Sequence, residues 1–200
     1  MQLLDSREET RGLEIESVVA EDQTAFDPYP GGKRNHDLLI RGRCGAGRMT
    51  IGLEAKADET FGQTLIPYQH HGLATRAAGE PTNALERLTM LLDEIASMPL
   101  RTPAFGDLRY QLFSGVAGTL AAAADDDLAA FVVHEFATDL TTEKKRHANK
   151  KALADFIHDV MGAVAPQDDC WLLGPFHVPS ERWSRIALFI GHLTTSGIKS

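Results

Sequence analysis

The chain has 200 residues, a net charge of −8, and 43% hydrophobic and 24% charged residues, which suits one globular domain with a sizeable core. That charge argues against a protein that coats nucleic acid by bulk electrostatics, but leaves room for an enzyme with one local basic groove. No segment approaches the roughly 18 unbroken apolar residues of a membrane span, the N-terminus carries no secretory signal, and Cys44 and Cys170 have no metal-ligand spacing, so a reduced, cytoplasmic compartment without membrane partners is expected.

Along residues 1–22, Leu13, Ile15 and Val19 suggest alternation, while Leu3, Leu4, Leu13, Val18 and Val19 also fit a helix. AFDPYPGGKRN is turn chemistry, and HDLLIRGRCGAGRMTIGLEAKA then reads as two strands around a Gly-rich turn. A helix is expected over 84–98, with Asn83 and Glu86 as a capping box, a stripe of Leu85, Leu88, Leu92 and Ile95, and Pro99 beyond. LRYQLFSGVAGTLAAAA after Asp107 reads as a second helix, whose Gly115 and Gly118 permit close packing on a sheet. DDDLAAFVVHEF gives a solvated loop and a buried strand. TEKKRHANKKALADFIHDVMG gives a helix with a basic first half, and WLLGPF and RIALFIG give two further strands. Strands interleaved with helices predict an α/β fold with a mixed central sheet, one domain over 1–200 with a helical elaboration at about 80–100.

A two-residue loop at Gly45-Ala46 fixes the hairpin's register. It places Leu38, Ile40, Cys44, Met49, Ile51, Leu53 and Ala55 on one face. Asp37, Leu39, Arg41, Arg43, Arg48, Thr50, Gly52, Glu54 and Lys56 fall on the other. A slip by one residue would mix the two sets, so the pattern selects this parity. Asp37 is then expected opposite Glu54, with Cβ atoms roughly 4.5–5.5 Å apart, close enough for two carboxylates to share one cation. Lys56 lies about 6.6 Å further along the strand, within reach of a water on that cation.

Asp37 on one strand and Glu54-Ala55-Lys56 on the next resemble the motif of the PD-(D/E)XK nucleases, the restriction-endonuclease-like fold. The wider string PGGKRNHDLLI…LEAKADETFG, with RYQLF and FVVHEF after it, looks like a bacterial branch of that superfamily. The resemblance covers about residues 30–137. It implies a restriction-endonuclease-like mixed central sheet flanked by helices, and metal-dependent hydrolysis of nucleic acid, DNA ahead of RNA. It makes Asp37, Glu54 and the Ala55 carbonyl ligands of Mg²⁺ or Mn²⁺. Lys56 becomes the residue that orients water and stabilises charge on the phosphate. Gln111, beside Tyr110 at a helix start, is the further polar residue many members supply, and Glu14 or Glu16 would stand for the glutamate some carry on a first helix. About 50 residues separate Lys56 from the Gln111 helix, a departure from the family's pattern.

The alternative is a catalytically retired domain on the same scaffold, acting as a binding or assembly module. Arg41, Arg43 and Arg48 are the candidates for nucleic-acid contact, and a homodimer or a partner subunit supplying substrate binding is left open. Glu143 and Lys145 repeat the Glu-x-Lys spacing on a helix with no opposed Asp, as a solvated face. The 144–151 cluster reads equally as a solvated helix face. His70 and His71 read as loop residues. His134-Glu135 is no zinc-protease signature, because position 138 is Thr. Phe113-Ser114-Gly115 is no nucleophile elbow, because Leu112 stands at the first glycine position.

Overall fold

Alternating apolar segments separated by amphipathic ones build one mixed sheet with helices against it. The computed structural model describes residues 2–96, 103–139 and 141–196. The chain runs α1 (Gln2–Asp5), β1 (Glu14–Thr24), β2 (Arg34–Cys44), β3 (Gly47–Lys56), α2 (Leu65–Ala77), α3 (Ala84–Ile95), α4 (Tyr110–Ala122), β4 (Leu128–Ala137), α5 (Glu143–Met161), β5 (Cys170–Phe176) and β6 (Ala187–Ser196). The sheet order is β1-β2-β3-β4-β6-β5. The first three strands are antiparallel, β3, β4 and β6 run parallel, and β5 returns antiparallel at the edge. Parallel neighbours require a crossover connection. The chain between β3 and β4 carries α4, and the chain between β4 and β6 carries α5.

Side-chain alternation sorts the core into two faces. Ala129, Phe131, Val133, Leu188 and Ile190 pack under α3, α4 and α5. Leu128, Ala130, Val132 and Phe189 join Met49, Ile51 and Cys44 on the opposite face, covered by Leu3, Leu4 and Leu13. Gly115 and Gly118 bring α4 down as expected: a Cβ on Gly115 would lie 2.6 Å from the Phe131 ring, and one on Gly118 2.8 Å from the Arg34 Cβ.

Several local expectations are corrected. Of the two readings open over residues 1–22, alternation holds for 14–24, which form a strand after the four-residue α1. His70 and His71 lie within α2, not in a loop. That helix hides from pattern reading because it buries only Leu65 and Gly72. The α3 helix caps at Ala96, while residues 97 and 98 and Pro99 lie outside the described residues. Its capping box does not form: Asn83 makes no side-chain cap bond, Thr82 Oγ1 accepts from the Ala84 N–H, and Glu86 pairs with Arg76. Leu91 is buried in the stripe, and Leu85 and Leu92 are half-buried. The Asp125–Asp127 loop is tied down rather than solvated throughout. Asp126 accepts from Thr50 Oγ1 at 2.5 Å and pairs with Arg48, while Asp127 accepts from the Arg48 N–H. Among the described residues, no helix is long and apolar enough to cross a membrane.

Candidate active site

Glu54 and Lys56 occupy the C-terminal end of β3 on the face covered by helices, 4% and 3% exposed. The predicted parity therefore holds, but this face is a buried polar layer rather than an open one. Gln111, the second residue of α4, aims both ends of its amide into the site. Its Oε1 accepts from the Gly62 N–H at 3.1 Å, and its Nε2 donates to Glu54 Oε1 at 2.5 Å. Lys56 Nζ lies 2.8 Å from the same oxygen and 3.0 Å from Glu59 Oε1, with the Phe61 ring 5.4 Å away. The loop carrying Glu59 is held by α5: Asn149 accepts from the Phe61 N–H and donates to the Glu59 carbonyl, and Lys145 bonds the Asp58 carbonyl and carboxylate.

Asp37 meets the site from β2. The ladder pairs Cys44 with Gly47 through to Leu38 with Leu53, the register read from sequence. The pairing ends there, with Asp37 one residue beyond it. The Asp37 carboxylate turns into the strand gap and accepts the Ala55 N–H at 2.6 Å. Alternation breaks at this point. Ile40 packs on the face covered by the N-terminal segment, yet His36, four residues earlier and of the same parity, lies against Gly118 on the helix face.

That break admits two residues the sequence reading missed. Arg34 pairs with Glu54 Oε2 from within the sheet, its side chain 9% exposed. Burial lowers the pKa of its guanidinium, against the raising effect of nearby Asp37. His36 is fully buried beside it, and burial, followed by the Arg34 charge, pulls its imidazole down to about 4. Arg34 Nε has no hydrogen-bond partner among the described residues.

Other candidates lie elsewhere. Arg43 and Arg48 face each other across the hairpin tip, as the register requires, and Arg41 faces Thr50. Six residues of strand, about 20 Å, separate Arg48 from Glu54. Glu14 pairs with Arg43 in the ladder and Glu16 contacts the Arg43 side chain, so neither reaches Glu54. In the basic half of α5, Lys145, Arg146, Lys150 and Lys151 are matched with Asp58, Glu143, Asp169 and Asp155. Glu135, beside Lys56 in the ladder, is buried against His192 at 3.0 Å. His192 also lines a cavity of about 310 Å³ between α5 and β5–β6 with Lys150, Asp168 and Trp171.

Chemically, the site offers two carboxylates and the Ala55 carbonyl at one strand end. Among the described residues, no three His, Cys, Asp or Glu side chains form a ready metal cluster. A small hard cation does not need one, since Mg²⁺ is commonly held by one or two carboxylates, with waters and substrate phosphate completing its shell. The residues fit such an ion by donor type. Glu54 Oε2 is paired with Arg34, and Oε1 with Lys56 and Gln111.

A model of one protein family, described as a domain of unknown function, DUF6946, matches residues 1–196. The chain belongs to the DUF6946 family. No curated protein and no solved structure matches it.

Proposed function

We propose that this chain is a Mg²⁺- or Mn²⁺-dependent nuclease of the PD-(D/E)XK kind, hydrolysing phosphodiester bonds of nucleic acid. One observation carries the reading: Glu54 and Lys56 are buried together at a strand end, next to Asp37 and held by Gln111. Burying an ion pair gains little stability over packed apolar side chains, and polar groups kept at such a cost concentrate at functional sites. DNA ahead of RNA follows the family resemblance, with Arg41, Arg43 and Arg48 offered to backbone phosphates beyond the site.

Asp37, Glu54 and the Ala55 carbonyl would hold the cation, which when bound supplies electrophilic stabilisation of the phosphate charge. The chain's own residues do the rest. Gln111, fixed by Gly62, sets the orientation of the Glu54 carboxylate. Lys56 is held by Glu54 and Glu59 with its ammonium directed at the site, where it orients the attacking water and faces the charge that develops on the phosphate.

The retired-module alternative is favoured by one specific feature, the pairing of Glu54 with both Arg34 and Lys56. Thermal unfolding separates the two. In an enzyme, millimolar Mn²⁺ raises the Tm of the wild type and leaves Asp37→Ala unmoved, because only a ligand bound to the native state stabilises it. Equal shifts in both proteins, or none in either, count for the module.

A further inference from the structure

Resting on the nuclease reading, the question is what Arg34 does there. Its stem is wedged under α4, where a Cβ on Gly118 would meet the Arg34 Cγ at 2.5 Å. Its guanidinium contacts Glu54 through one terminal nitrogen, while Nε has no partner among the described residues. A guanidinium built to hold a carboxylate permanently is commonly bidentate, presenting two parallel N–H groups. Here the fork is only partly used. The positive charge stands against Glu54 Oε2, and a divalent cation binding to that carboxylate would be repelled by it.

We propose that Arg34 is the phosphate-binding residue of this site and holds the cation's place on Glu54 until substrate arrives. A substrate phosphate offers the fork two oxygens in the geometry it prefers. Moving onto that phosphate frees Glu54 Oε2 for the metal, and an incoming metal in turn pushes Arg34 toward the phosphate. Metal and nucleic acid then bind with positive coupling, and the coupling is reciprocal. His36 packs at Gly118 beside the Arg34 stem, so the movement is confined to the end of the side chain.

The test is Mn²⁺ affinity by electron paramagnetic resonance, with and without a short single-stranded oligothymidylate, on wild type, Arg34→Gln and Arg34→Lys. Wild type should bind Mn²⁺ weakly alone and about tenfold or more tightly with the oligonucleotide. Arg34→Gln should bind Mn²⁺ alone about tenfold more tightly than wild type, with little further gain from the oligonucleotide. Circular dichroism checks the fold of each variant. If Arg34→Gln does not fold, Arg34→Lys carries the test. Its ammonium keeps the charge but lacks the fork, so Mn²⁺ alone should bind about as weakly as in wild type while the gain from the oligonucleotide shrinks several-fold. An equal gain in wild type and the folded variant overturns the proposal and leaves the nuclease reading standing, because the phosphate then acts directly on the metal. Weaker Mn²⁺ binding by that variant overturns it as well. No Mn²⁺ binding by any of the proteins, with or without oligonucleotide, removes the metal reading and this proposal together.

Discussion

His36 is fully buried between Gly52 and α4, and its imidazole is pulled down to about 4 by burial and by the Arg34 charge. Unfolded, it binds its proton near the ordinary value of 6.5. Between those values the unfolded chain holds more protons than the native one, so stability rises with pH. The contribution is complete above the unfolded value and is lost as pH falls toward the folded one. The full span corresponds to at most about 3 kcal/mol. Urea unfolding in EDTA should show wild type losing about 2 kcal/mol more than His36→Leu between roughly pH 7 and pH 4.5. Equal losses would show that His36 is not buried neutral. The two acidic residues differ in the same assay. Glu54→Ala leaves Arg34 without its counter-charge and Lys56 with only Glu59, and should cost about 3–5 kcal/mol. Asp37→Ala removes one hydrogen bond to Ala55 and should cost only about 1–2 kcal/mol. A cost for Asp37→Ala as large as for Glu54→Ala would mean that Asp37 belongs to the buried network itself.

At the scale of elements, α4 sets the depth of the site. It docks closely because Gly118 leaves room for Arg34 and His36. Gly118→Ala would gain about 1 kcal/mol of helix propensity, against about 1–3 kcal/mol for overpacking. Contact with a wedged side chain stem decides the sign, and the variant should lose about 1 kcal/mol in denaturant unfolding. A stabilised variant would mean that Arg34 is not held there. The same elements show what sequence could carry. The hairpin register was legible because a slip by one residue mixes an apolar face with a polar one, and Gln111 because it opens a strongly apolar helix. Arg34 and His36 were not legible. Alternation counted back from Asp37 assigns both to the opposite face, and the break at Asp37 that reverses them leaves no mark in composition. The α2 helix escaped for another reason, since a mostly exposed helix shows no apolar stripe. Asn83 and Glu86 have the spacing of a capping box, but Glu86 finds Arg76 on the neighbouring helix instead, a tertiary contact no local pattern contains.

For the whole molecule, the helix face of the sheet gathers buried polar pairs toward the C-terminal ends of its parallel strands, Glu54 with Lys56 on β3 and Glu135 with His192 on β4 and β6. Parallel strands with helical crossovers open a crevice at their C-terminal ends, the usual place for chemistry in such sheets. The net charge of −8 would oppose a nucleic-acid substrate over the whole surface, so on the proposed function binding would rest on local contacts. Arg34 and Lys56 are the cations the fold places at Glu54. The proposed function requires that these residues hydrolyse a phosphodiester. The most direct measurement is cleavage of labelled single-stranded DNA, duplex DNA and RNA in Mn²⁺, comparing wild type with Lys56→Ala. We predict cleavage of at least one DNA substrate that is abolished by EDTA and reduced by roughly a hundredfold or more in Lys56→Ala. Cleavage that persists unchanged in Lys56→Ala, or none on any substrate, would contradict it.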